Sequence, residues 1–183
     1  MHAERHLNPQ PPFLPPLEEK DPKYCLVVDL DETLIHFNEA ENYYLVRPGV
    51  NQFMKDLSEH FELVLFTASV KEYADWILDQ IDPEKFFKHR LYRQHCSFFN
   101  KMYIKDLTLL GRDLKKTIII DNLYESFMRQ PDNGILIANW YDDMEDQELV
   151  VLISFLKGLV GSEDVREEIK NAMKSLEDSA QLN

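Results

Sequence analysis

Four short apolar runs constrain this chain more than any other feature: Cys25-Leu26-Val27-Val28, Leu63-Val64-Leu65-Phe66, Ile118-Ile119-Ile120 and Ile135-Leu136-Ile137-Ala138. They are continuous and rich in β-branched residues, the pattern of central parallel strands covered on both faces. Helical patterns separate them. Val50, Phe53, Met54 and Leu57 follow the i, i+3, i+4, i+7 rule behind Pro48 at a helix start. After the second run, Ser69 and Glu72 have capping-box spacing for a helix whose buried stripe is Ala74, Ile77, Leu78 and Ile81. Strand, helix, strand, helix predicts βαβ crossovers in an α/β fold, with a parallel central sheet flanked by helices. Leu149, Leu152, Ile153, Leu156 and Val160 predict another amphipathic helix. A last charged helix within 162–183, carrying Val165, Ile169 and Met173, is expected to pack on the outside. The stretch 89–104 breaks the rhythm: short β-prone pieces around Asn100-Lys101 predict a small β-hairpin insertion beside the sheet edge.

The 183 residues suit one domain. A chain of this size buries roughly 70% of its unfolded surface, enough for a core without disulfides or structural metal. Residues 23–183 are assigned to that domain. Residues 1–22 hold six of the nine prolines and read as an extended arm. Such a segment is preorganised to dock in a partner's groove, although its composition favours a solvated leader. A net charge of −13 without a basic stripe argues against a direct nucleic-acid ligand. Cys25 and Cys96 have neither disulfide-framework nor zinc-site spacing, so a reduced setting, cytoplasm or nucleus, is expected. No apolar run approaches the ~20 residues of a membrane span. Oligomeric state is not legible, and Trp76 and Trp140 read as packing residues.

Three of the four runs end in polar residues: Val28 in Asp29, Phe66 in Thr67, and Ile120 in Asp121-Asn122. Open parallel sheets bind ligands beyond their strands' carboxyl ends. Residues i and i+2 of an extended chain project to one side, so Asp29 and Asp31 would face one point. A deep carboxylate can attack phosphorus and form an acyl phosphate. Another, two residues on, can protonate the leaving oxygen and later take a proton from water. Two such carboxylates repel unless a cation lies between them, and Mg²⁺, which prefers oxygen ligands and bridges to phosphate, suits that place. For Asp-x-Asp alone, Asp31 or Thr33 fits the cap of a turn or helix equally well. Thr67, before a helix start, can hold phosphate oxygens, with Ser69 as the local cap. Lys105 would neutralise charge gathered at the nucleophile, and Asp121-Asn122 would complete a hard-cation site or simply make a turn. None of these is decisive singly; their order along the chain is.

The segments Asp29 to Leu34 (DLDETL), Phe66 to Ser69 (FTAS), Tyr103 to Leu107 (YIKDL) and Ile118 to Asn122 (IIIDN) resemble the four motifs of haloacid dehalogenase-type phosphatases. The similarity is to the branch of small RNA polymerase II C-terminal-domain phosphatases and Dullard-like nuclear-envelope phosphatases, and runs from about Tyr24 to Val165. It implies a Rossmann-like core and Mg²⁺-dependent dephosphorylation of phosphoserine or phosphothreonine in a protein or peptide segment. By the same resemblance Asp29 is the nucleophile and Asp31 the general acid/base. Thr67 binds the phosphoryl group with Ser69, Lys105 neutralises it, and Arg93 contacts substrate. The Mg²⁺ ligands implied are the Asp29 carboxylate, the Asp31 backbone carbonyl and Asn122, supported by Asp121.

The chain also departs from that pattern. Family members commonly follow the fourth motif with Ser-Pro, where this chain has Leu123-Tyr124. Polymerase-tail phosphatases carry a longer segment before Arg47-Pro48, building an apolar pocket for a substrate proline; here only Ile35 to Val46 fills the gap. Dullard-like members have an N-terminal membrane segment, and no such run is present in this sequence. The alternative reading is a phosphatase-fold scaffold without useful turnover, like the related mitochondrial import-translocase subunit. A small-molecule phosphatase would need a capping domain larger than residues 89–104.

Overall fold

A computed structural model describes residues 9–180. The first eight residues of the Pro-rich arm and the last three of the expected C-terminal helix lie outside them. In chain order the elements are β1 (Tyr24–Val28), β2 (Ile35–Asn38), β3 (Tyr43–Val46), α1 (Val50–Ser58), β4 (Phe61–Phe66), α2 (Lys71–Ile81), β5 (Phe87–Leu91), β6 (Ser97–Phe99), β7 (Met102–Ile104), β8 (Thr117–Asp121), β9 (Gly134–Leu136), α3 (Glu148–Gly158) and α4 (Val165–Ala180). Five strands form a parallel sheet in the order β5-β4-β1-β8-β9, with β1 at its centre, while β2-β3 and β6-β7 are separate antiparallel hairpins.

Side chains alternate along each strand and so divide the interior into two cores. Leu26, Val28, Leu63, Leu65, Ile118 and Ile120 join the first, together with the buried residues of all four α-helices. Cys25, Val27, Val64, Phe66 and Ile119 join the second, which is closed by Leu107, Leu110, Phe127 and Leu14. The expected solvated arm therefore gives way at Phe13 and Leu14. Their amides donate to the carbonyls of Leu109 and Leu110 at 2.9 and 3.2 Å, and Leu14 is 2% exposed. Among the described residues no α-helix contributes a buried residue to this second core, so the arm supplies apolar cover there, and Leu14 is not free to dock in a partner.

Other expectations change where only one strand face is covered. Residues 89–91, read as the start of the insertion, belong instead to the parallel edge strand Phe87–Leu91, with Phe87 and Leu91 buried and Lys88 exposed. The hairpin itself is narrower, Ser97 to Ile104, turning on Asn100 and Lys101, both with positive φ. At the other edge β9 ends at Leu136, which is 52% exposed, so the fourth run is not covered on both faces. The β2-β3 hairpin was not anticipated; its turn is held by Asn38 Oδ1, which accepts from the amides of Ala40 and Glu41. Trp140 is buried, but Trp76 is half exposed on α2, edge-on to Tyr44 and Phe37. Val160 lies past the end of α3, and Met173 faces outward on α4. Among the described residues no helix is long and apolar enough to cross a membrane.

Candidate active site

The same alternation sets the site. Asp29 continues the face of Cys25 and Val27, and Asp121 that of Ile119, so the register Val28↔Ile120 puts two carboxylates side by side at adjacent strand ends. The sheet ladder reaches this point, since the Asp29 amide donates to Ile120 O at 3.0 Å. Lys105, directly after β7, enters from the second face. Its Nζ donates to Asp29 Oδ1 and Asp121 Oδ2 at 2.5 Å each and lies 5.9 Å from the Phe66 ring centroid. A lysine 1% exposed is tolerable only with such partners.

Burial pushes the Asp29 carboxyl up to about 7; Lys105 opposes this, and the charges of Asp121 and Asp31 add to it. For Lys105 burial works against the ammonium, but Asp121 and Asp29 overcome it and hold the pKa above the ordinary lysine range. Asp29, Asp121 and Asp31 thus gather at one end of the sheet with a single ammonium, on Asp29 and Asp121, an excess of acidic groups that a divalent cation would offset.

Asp31 is oriented from the β4-α2 junction. Its carboxylate accepts from Ser69 Oγ at 2.7 Å and Tyr73 Oη at 2.6 Å, with Thr67 Oγ1 at 3.5 Å. The expected capping box is therefore absent. Helix α2 starts at Lys71 behind Val70 with no side-chain cap, so Ser69 sits too early to cap it and its hydroxyl turns to Asp31. Thr67 is fully buried, and its Oγ1 accepts from the Ser69 amide at 3.0 Å. Tyr73 was missed, because a tyrosine beside the apolar stripe of a helix reads as surface. Burial and the Asp31 hydrogen bond both push its pKa up, so its hydroxyl stays a donor.

Thr33 was seen only as a possible cap, yet its Oγ1 donates to Asp29 Oδ2 at 3.1 Å and lies 3.5 Å from Asn122 Oδ1. Buried Arg47 steadies this loop by donating to Thr33 O, to Ala138 O and to both Asp146 carboxylate oxygens. Arg93 donates from Nε to Ala68 O at 2.7 Å, and its guanidinium lies over the Tyr103 ring. Asp29, Asp31, Ser69, Arg93, Lys105, Asp121 and Asn122 all line one open cleft of about 580 Å³, while Thr67 reaches it through its hydrogen bonds.

Residues 24–166 match the model of the NLI interacting factor-like phosphatase family. The chain belongs to this family. It is 43% identical over 184 residues to the CTD small phosphatase-like protein 2 of Dictyostelium discoideum, covering 91% of this chain and 32% of that protein. It is 42% identical over 172 residues to the human carboxy-terminal domain RNA polymerase II polypeptide A small phosphatase 2, covering 84% and 64%. The chain thus spans from about a third to somewhat under two thirds of the length of these curated relatives. Among solved structures, the fission yeast RNA polymerase II CTD phosphatase Fcp1 bound to beryllium fluoride superposes with a TM-score of 0.53 at 18% identity, over 86% of this chain and 56% of that one. An uncharacterised Listeria monocytogenes protein superposes with a TM-score of 0.55 at 13% identity, over 74% and 98%. These two likenesses concern the fold alone, and the haloacid dehalogenase-like α/β architecture expected from the sequence is the one found.

In this member of the family, no three His, Cys, Asp or Glu side chains among the described residues group as a metal site. The expected ligand set does not require such a group. One carboxylate, one backbone carbonyl and one amide oxygen, completed by waters, suit Mg²⁺, which dehydrates reluctantly. Asn122 lies one hydroxyl away from the Asp29 carboxylate, through Thr33, and the acidic excess at the strand ends is of the sign that a cation offsets. The donor set fits the ion.

Proposed function

We propose that this chain is a Mg²⁺-dependent phosphatase of phosphoserine and phosphothreonine in protein segments, acting through an aspartyl-phosphate on Asp29. The observation that carries this reading is a deep carboxylate, held by Lys105 and Thr33, beside a second carboxylate at the floor of an open cleft. An Asp29 oxygen attacks phosphorus while the bond to the serine or threonine oxygen breaks, and protonated Asp31 gives that oxygen its proton. Water then attacks phosphorus, Asp31 takes the water's proton, and the Asp29–phosphorus bond breaks to release phosphate. Lys105 stays charged throughout and offsets the negative charge gathered at Asp29. Mg²⁺, held by Asp29, the Asp31 carbonyl and Asn122, would neutralise phosphoryl oxygens. The relatives' names as phosphatases of a polypeptide tail support a protein substrate. So does the cleft, since the short β6-β7 hairpin is too small to enclose it.

The test is release of phosphate from p-nitrophenyl phosphate and phosphoserine peptides by the purified chain. Turnover with Mg²⁺, lost on chelation and restored by added Mg²⁺, is expected. No turnover by a folded chain that still binds Mg²⁺ would instead support the scaffold reading. Tyr73→Phe removes one donor from Asp31. A hydrogen bond to a charged group contributes about 1.5–3 kcal/mol, so kcat is expected to fall about tenfold or more with an unchanged Mg²⁺ titration midpoint. An unaltered kcat would show that Ser69 suffices to orient Asp31.

A further inference from the structure

Two segments that wall the cleft carry opposite charges: the β2-β3 hairpin brings Phe37 and Glu39, and the turn before β6 brings Arg93. Glu39 is exposed and, among the described residues, has no hydrogen bond or ion pair. The other acidic side chain of that wall, Glu32, is engaged, its Oε1 lying 3.1 Å from His36 Nδ1. The turn bearing Glu39 is fixed in place by the two amides that donate to Asn38 Oδ1, and by Phe37, which packs edge-on to Tyr73 at 5.5 Å. The Glu39 backbone therefore has a set position on the rim, and its carboxylate is held within side-chain reach of it. Arg93 is tethered through Nε and Tyr103, while its terminal amino groups have no protein partner among the described residues, and it does not pair with Glu39.

We infer that Glu39 is a specificity-determining residue, which selects phosphoresidues with lysine or arginine on the flank that runs along the β2-β3 hairpin. This rests on the phosphatase reading above. A substrate chain with its phosphoryl group at Asp29 advances about 3.3–3.6 Å per residue, so it meets both walls within about three residues on either side. The phosphoryl contacts are common to all substrates, and only the flanks differ. An ammonium on the Glu39 side meets an unpaired carboxylate, whereas the same group on the other flank meets the Arg93 guanidinium. The preference is accordingly one-sided and weakened by salt. A neutral flank such as proline gains nothing from Glu39.

The experiment compares kcat/KM of the Mg²⁺-loaded chain on phosphoserine peptides in which one lysine is stepped through about three positions on each side of a neutral background. p-Nitrophenyl phosphate serves as a substrate without flanks. A gain of about three- to fivefold is expected on one flank only, fading as salt approaches about 0.5 M. Glu39→Gln is expected to remove the gain and Glu39→Lys to convert it into a preference for glutamate, while Glu41→Gln on the same turn keeps it. Turnover with equal kcat/KM for lysine on either flank, or a gain that survives Glu39→Gln or is lost equally in Glu41→Gln, would overturn this inference alone. No turnover of either substrate class by the unaltered chain would overturn the phosphatase reading beneath it.

Discussion

Asp29→Asn is expected to lower kcat on an aryl phosphate by about four orders of magnitude or more, with the fold retained. A carboxamide is not a nucleophile toward phosphorus, so the acyl phosphate cannot form. Its shape is nearly that of the carboxylate. The amide oxygen still accepts from Lys105, and the amide nitrogen faces the Thr33 hydroxyl, which can accept a hydrogen bond. Lys105 also keeps Asp121 as a charged partner. Thermal unfolding midpoints within a few degrees of the unaltered chain, together with lost phosphate release, are the expected pair of results. Substantial activity in the folded variant would remove Asp29 from the nucleophile's role.

Lys105→Met has the larger consequence for stability. It leaves the Asp29 and Asp121 carboxylates, both nearly inaccessible, facing each other without their ammonium. Breaking a buried ion pair by removing one partner costs about 3–5 kcal/mol, because the surviving charge is uncompensated. For a chain of this length that corresponds to a fall of roughly 10 °C in the unfolding midpoint. Activity is lost as well, since nothing then balances the charge gathered at Asp29. The double variant Lys105→Met/Asp121→Asn separates the two effects: it is expected to recover much of the stability and none of the turnover. An unchanged midpoint in the single variant would mean that Lys105 is not the internal counter-ion.

Both variants probe residues named from the chain alone, Lys105 through the order of motifs and the family resemblance, Asp29 for a local reason. Where an apolar run stops at Asp29, Thr67 or Asp121, the strand has reached the sheet's rim, and alternation decides which face the next side chain takes. The roles that escaped notice depend on contacts between distant segments. Ser69 has the spacing of a helix cap, and its hydroxyl chooses Asp31 only because α2 starts at Lys71 and the two junctions meet in space. Tyr73 becomes a partner of Asp31 only when α2 lies beside the end of β1.

The edges of the sheet show the same division. β5 and β9 are covered on one face only, so their mixed sequences hide residues 89–91 among insertion residues and make Ile135 to Ala138 look more central than it is. Leu14 sits among prolines and signals nothing by itself; its burial follows from a second core to which, among the described residues, no α-helix contributes a buried side chain. The sequence by itself determined the α/β sheet, the rim and the order of the groups delivered to it, because these follow from where apolar periodicity begins and ends. Only the tertiary structure decided that Lys105 lies buried between Asp29 and Asp121, that Ser69 and Tyr73 hold Asp31, and that Glu39 stands on the cleft wall without a partner among the described residues. Those arrangements are set by which side chains meet after distant segments pack, and spacing along the chain carries no record of it.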